Sequence, residues 1–198
     1  MALTVDEQRA TIAIADRLAI GDAGALAPVF DGREIPLPTI NWAPAPSDLA
    51  ARQLTFLLEY WNGLRGDGAM APAKAIQPID MRPALGYVCL IDVLDGGLDF
   101  YYRVYGSDIA HCVGLDLTGT RLSDYTRSRW MLIYHAAAYR ASAQRQDALH
   151  TSYVPTADIS TPRWDRLILP LADDNGKAVR LLVGKVPRGR RVARRDPV

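Results

Sequence analysis

The stretch YVCLIDVLDGGLDFYYRV, residues 87–104, decides the fold. Tyr87, Cys89, Ile91 and Val93 fall on alternate positions, and so do Leu98, Phe100, Tyr102 and Val104. Strand side chains point to opposite faces with a period of two, so each run reads as a strand with one face on a core. Between them stands Asp95-Gly96-Gly97. A type I′ turn needs positive φ at both central residues, and Asp-Gly meets that need. The stretch therefore predicts an antiparallel hairpin.

Downstream, Ser107 opens a short helix that Gly114 ends, and LDLTGTRLSDY (115–125) reads as a turn with about one helical turn. Residues 127–145 form a longer helix, with Trp130, Ile133, Tyr134, Ala137 and Ala141 along one side. Strands follow at 148–155, 164–172 and 177–186, with Asp173-Asp174-Asn175-Gly176 as a hairpin turn. Pro170 inside the second of these suggests an edge or a bulge, because proline cannot donate to a ladder.

Upstream, the spacing predicts a helix over 4–20. Thr4 and Glu7 fit the S/T-x-x-E capping box, and Gly21 is a stop. Its apolar stripe is Ile12, Ala15 and Ala19, with Ile14 and Leu18 beside it. Residues 22–47 hold Pro28, Pro36, Pro38, Pro44 and Pro46 and read as a connector. Ser47 is placed to cap a second helix over 48–65, with Leu54, Leu57, Leu58, Trp61 and Leu64 at helical spacing and Gly66 at its end. Residues 66–85 read as irregular.

Helices segregated from hairpin-linked strands indicate an α+β domain with an antiparallel sheet. The division is an N-terminal helix and Pro-rich connector at 1–47, a domain at 48–186, and a basic tail at 187–198. The 198 residues are 49% hydrophobic, enough for a buried core, and the formal net charge is +1. That balance excludes a globally basic nucleic-acid binder and a highly charged disordered chain. No apolar run nears the roughly eighteen residues that span a bilayer. Asp6 and Glu7 stand where a secretory signal carries Lys or Arg, so a cytoplasmic protein is expected. Cys89 and Cys112 are the two cysteines, without a CxxC or Cys/His cluster, which argues against a zinc site or disulfide scaffold.

The order of elements resembles a PAS domain, and specifically the single-PAS proteins common in alphaproteobacteria. The residues that carry the resemblance are Tyr60-Trp61-Asn62-Gly63-Leu64-Arg65, Gln77-Pro78-Ile79-Asp80, Leu90-Ile91-Asp92-Val93 and Asp99 to Gly106 (DFYYRVYG). Gly114 to Gly119 (GLDLTG), Arg166 to Leu171 (RLILPL) and Asp173-Asp174 complete it, over residues 54–186. The resemblance implies a five-stranded antiparallel sheet folded over helices with a cavity between them. It implies sensing, scaffolding or dimerisation and names no ligand, since a fold hosts many functions.

No catalytic motif is present: GxSxG, P-loop, GxGxxG and HExxH are all missing. Asp95-Gly96-Gly97 and Asp173-Asp174 read as turns. The expected role is a non-enzymatic sensory or regulatory module in signal transduction, acting by protein contact or dimerisation. The alternative is a sensor that binds a metabolite, lipid or cofactor in the cavity. Candidate lining residues are Phe100, Tyr102, Val104, Ile109, Val113, Trp130, Tyr134, Ala137, Leu167, Leu169, Leu181 and Val183. A filled core of the same residues is the competing reading. The resemblance brings haem into view through an axial histidine on the long helix. His135 lies off the Trp130–Tyr134–Ala137 stripe, nearer Met131 and Ala138, and reads as a partly exposed structural residue.

Leftover apolar stripes on two leading helices predict a homodimer through Ile12, Ile14 and Leu18, then Leu54 and Leu58, unless the first helix folds back on its own sheet. The tail carries Arg188, Arg190, Arg191, Arg194 and Arg195. It reads as a solvated end, a contact for an acidic partner, or a phosphate contact. No aromatic residue follows Val186 to stack on bases, so nucleic acid is disfavoured.

Overall fold

The computed structural model describes residues 3–125, 127–156 and 163–189. Helix α1 spans Val5–Ala19 and opens with the expected reciprocal cap: Thr4 N donates to Glu7 Oε2 at 2.8 Å, and Glu7 N donates to Thr4 Oγ1 at 3.3 Å. The next elements are α2 (Ala27–Phe30), β1 (Thr39–Trp42), α3 (Arg52–Arg65) and β2 (Ala71–Pro72). The hairpin is β3 (Val88–Leu94) and β4 (Asp99–Tyr105). Asp95 and Gly96 both take positive φ, 50° and 68°, as the sequence predicts. Helices α4 (Ser107–Val113) and α5 (Arg129–Arg145) lead to β5 (Leu149–Tyr153), β6 (Arg163–Ala172) and β7 (Ala178–Arg188).

The sheet runs β1-β5-β6-β7-β3-β4, antiparallel throughout, with β2 added parallel to the end of β6. It contains the five antiparallel strands of the expected α+β fold and gains two short strands from the segment before β3. The supposed connector is thus partly structural. Its β1 pairs with β5, and its Phe30 packs edge-on to Trp130 and Tyr134 of α5 at 5.1 and 5.4 Å between ring centroids. Helix α3 starts at Arg52 instead of 48, because Ser47 lies inside a separate 3₁₀ turn over Pro46–Asp48.

The sheet has helices on both faces. On one, Leu54, Leu57, Leu58 and Trp61 of α3 pack with Leu167, Leu169 and Leu182. Each such side chain contributes about 1.5–3 kcal/mol by leaving water. Trp61 Nε1 donates to the carbonyl of Pro170 at 2.9 Å, and Gly184 supplies the gap that Leu54 and Leu57 fill. Pro170 sits where β5 has already ended, so its missing N–H leaves no partner of β5 unpaired. On the other face α5 covers the sheet, and α1 covers α5 with Thr11, Ile14, Ala15 and Leu18. Arg129 of α5 ion-pairs with Glu7, and Gln144 Nε2 donates to Asp16 at 2.9 Å.

This packing corrects the expected dimer surface. Ile14 and Leu18 are buried against the chain's own α5 side, and Leu54 and Leu58 against its own sheet, which leaves only Ile12 partly exposed. Helix α1 folds back on its own domain. No helix among the described residues is long and apolar enough to cross a membrane.

Candidate functional site: a cavity under the long helix

A cavity of about 290 Å³ lies between α5 and the sheet. Tyr102 and Tyr105 of β4 and Cys89 of β3 form one wall, and Cys112 and Val113 of α4 another. Met131, His135 and Tyr139 project from α5, one helical turn apart, as i, i+4 spacing places them. Tyr153, Trp164, Val183 and Lys185 complete the sheet side.

Of the twelve expected lining residues, Tyr102, Val113 and Val183 line this space. Phe100, Ile109, Tyr134, Ala137 and Leu181 are packed in the same core without lining it, and Trp130 packs against it from the edge. Leu167 and Leu169 face the opposite side, toward α3. Strand β6 is buried on both faces from Trp164 to Leu171, so hydrophobicity cannot reveal its phase. Val104 is 46% exposed, because β4 carries a bulge. Leu90 pairs with Val104 but Ile91 pairs with Tyr102, so Arg103 is the extra residue and Tyr105 turns inward in place of Val104.

His135 is partly exposed, as its helix position suggested, yet it also belongs to the cavity wall. Because α1 covers the outer side of α5, that helix is buried around most of its circumference, and the single-stripe reading fails. His135 faces the cavity, stacks on Tyr139 at 5.9 Å and meets Tyr153 edge-on at 5.7 Å. Its Nδ1 is engaged by Arg166 Nη1. The guanidinium donates there, so the neutral ring carries its proton on Nε2. Burial first, then the charges of Arg166 and Lys185, hold His135 well below the usual histidine range.

Arg166 was missed at the sequence level as a site residue. It is fully buried, with Nε donating to Thr151 Oγ1 at 3.2 Å and its Cζ 4.6, 5.4 and 5.2 Å from the rings of Tyr134, Tyr139 and Tyr153. Each such ring contributes about 0.5–2 kcal/mol. Dehydrating an ion costs several kcal/mol, and rings do not cancel its charge. Lys185 is the register partner of Arg166 across β6 and β7, so both point to the same face. Its Nζ lies 4.4 Å over the Trp164 ring and 5.9 Å from that of Tyr153. Burial pushes its pKa down to about 8, and Arg166 adds to the effect. A period-two signal did exist for it, since Leu181, Val183 and Lys185 share a phase.

Among the described residues no carboxylate stands within ion-pair distance of either cation; the nearest buried one by sequence, Asp165, pairs with Arg188 at 3.0 Å. That pairing takes Arg188 out of the basic tail, and Arg190, Arg191, Arg194 and Arg195 lie outside the described residues. Three buried polar atoms around the cavity have no hydrogen-bond partner: Ser128 Oγ, Tyr153 Oη and Arg166 Nη2. Tyr102 and Tyr139 share a hydroxyl contact of 3.2 Å. Burial pushes the Cys89 thiol up to about 12, so it is a small neutral wall residue at neutral pH.

A family model described as "PAS domain" matches residues 50–185. No curated protein and no solved structure matches the chain.

Proposed function

The chain belongs to the PAS domain family, and we propose that it is a non-enzymatic sensory and regulatory module whose signal is a small molecule held under α5. The observation that carries this reading is a cavity of about 290 Å³ between α5 and the sheet, bordered by buried, unpartnered polar atoms. Ligand sites run from roughly 300 Å³ upward, and native interiors leave few voids larger than a water. A filled core fits this poorly. Catalysis also fits poorly: His135 is paired with a guanidinium, and no described carboxylate orients its ring as the partner of a general base would.

The readout we propose is contact with another protein or a second copy of the chain. Exposed Ile79 and Leu85, both on the 3₁₀ segment Pro78–Tyr87 that leads into β3, support it. Thermal melting against a set of small metabolites tests the ligand reading. At least one compound should raise the melting temperature of the wild type and leave Val183→Phe, which fills the space, unchanged. Equal shifts in both proteins would place the binding elsewhere and overturn it.

A further inference from the structure

The cavity has a sign. Lys185 opens on it directly, and Arg166 stands immediately behind His135, Tyr139 and Tyr153. The two cations flank one ring, that of Tyr153, from adjacent strands. Like charges at cross-strand positions repel, and a buried charge is retained when something opposite meets it. Donor-bearing side chains that line the cavity include Lys185, Tyr153 and His135, and the Tyr153 hydroxyl and, behind that wall, Arg166 Nη2 have no hydrogen-bond partner. Among the described residues, acceptors of full negative charge are what the set lacks.

We propose that the ligand is a small organic carboxylate. Its two oxygens meet Lys185 and the donors around Tyr153 and His135, and its apolar body lies against Met131, Leu117 and Val183. A cavity of about 150 Å³ holds one benzene ring, so about 290 Å³ admits a ring or short chain together with its carboxylate. This inference rests on the ligand-binding reading above and adds the chemical class to it.

The test is calorimetric titration of the full chain with paired probes: benzoate and benzamide, phenylacetate and phenylacetamide, hexanoate and hexanamide, octanoate and octanamide. At least one acid should bind about tenfold or more tightly than its amide, a preference that Lys185→Met removes while the variant still unfolds cooperatively. Lys185→Arg, which keeps the charge, should retain the preference. Amides that bind as tightly as their acids would overturn the charge assignment and leave the ligand reading intact. Binding of acids that Lys185→Met and Arg166→Met both leave unchanged would overturn the assigned position. If no probe of either kind binds, the carboxylate proposal fails. The metabolite melting experiment then decides separately whether the cavity takes another class of ligand.

Discussion

Arg166 and Lys185 are cross-strand partners on β6 and β7, two cations side by side on the face of the sheet that α5 covers. Two adjacent cations cost the domain stability, and that cost can be measured.

Lys185 has a folded pKa near 8 against an ordinary value of 10.5. Between these values the unfolded chain holds a proton that the folded one has released. Stability therefore rises with pH across that window, by up to about 1.4 kcal/mol per unit. Lys185→Met should be more stable than wild type by about 1–3 kcal/mol at pH 7, and the gap should close toward pH 10. Denaturant unfolding at several pH values reads this difference. The buried tyrosines titrate in both proteins and largely cancel from it. Cys89 loses the Lys185 charge in the variant, so both measurements are made in a Cys89→Ala background. A gap independent of pH would contradict the lowered pKa of Lys185.

His135 gives the opposite limb. Its folded pKa lies well below 6.5, and burial lowers that of His150 too. As pH falls below 6.5 the unfolded chain takes up protons that the folded one refuses, so stability is lost, at about 1.4 kcal/mol per unit for each group. His135→Gln should flatten the decline between pH 6.5 and 5 without abolishing it. Melting curves over that range check the point.

The seat of α3 depends on one glycine and one indole. A Cβ on Gly184 would lie 2.6 Å from Leu54 Cδ2 and 2.7 Å from Leu57 Cδ1. Gly184→Ala should cost about 1–3 kcal/mol through overpacking. Trp61→Ala should cost about 3–5 kcal/mol, since it removes a buried ring and orphans the Pro170 carbonyl. Urea unfolding measures both, and a loss under about 1 kcal/mol for Trp61→Ala would make α3 a loose appendage.

Removal of residues 1–46 should destabilise the domain, because it strips α1 from α5, Phe30 from Trp130 and Tyr134, and β1 from β5. The truncated chain is expected to unfold at lower denaturant or to aggregate. A truncated chain as stable as the full one, seen by denaturant titration and sedimentation, would contradict the fold-back of α1.

The hairpin at 87–104, the α1 cap and the α+β order were legible because each rests on local chemistry: Asp-Gly at positive φ, a capping box, a change of period. The cavity wall was less so. Phase was lost on β6, where both faces are buried, and on β4, where a bulge swaps Val104 for Tyr105. His135 was read as structural because nothing within α5 announces that its side of the helix will face a cavity. Arg166 and Lys185 are charged residues in core phase, and amphipathic reasoning assigns such residues to solvent unless the phase is followed through to them.

Native mass spectrometry of the freshly purified full chain, with released small molecules identified in negative-ion mode, tests ligand binding most directly. The expected result is a small adduct on the 21.8 kDa chain that ionises as an acid and is missing from Val183→Phe. A chain at its bare mass that still shows no adduct after incubation with the carboxylate and metabolite panels would contradict the claim that this cavity holds a ligand.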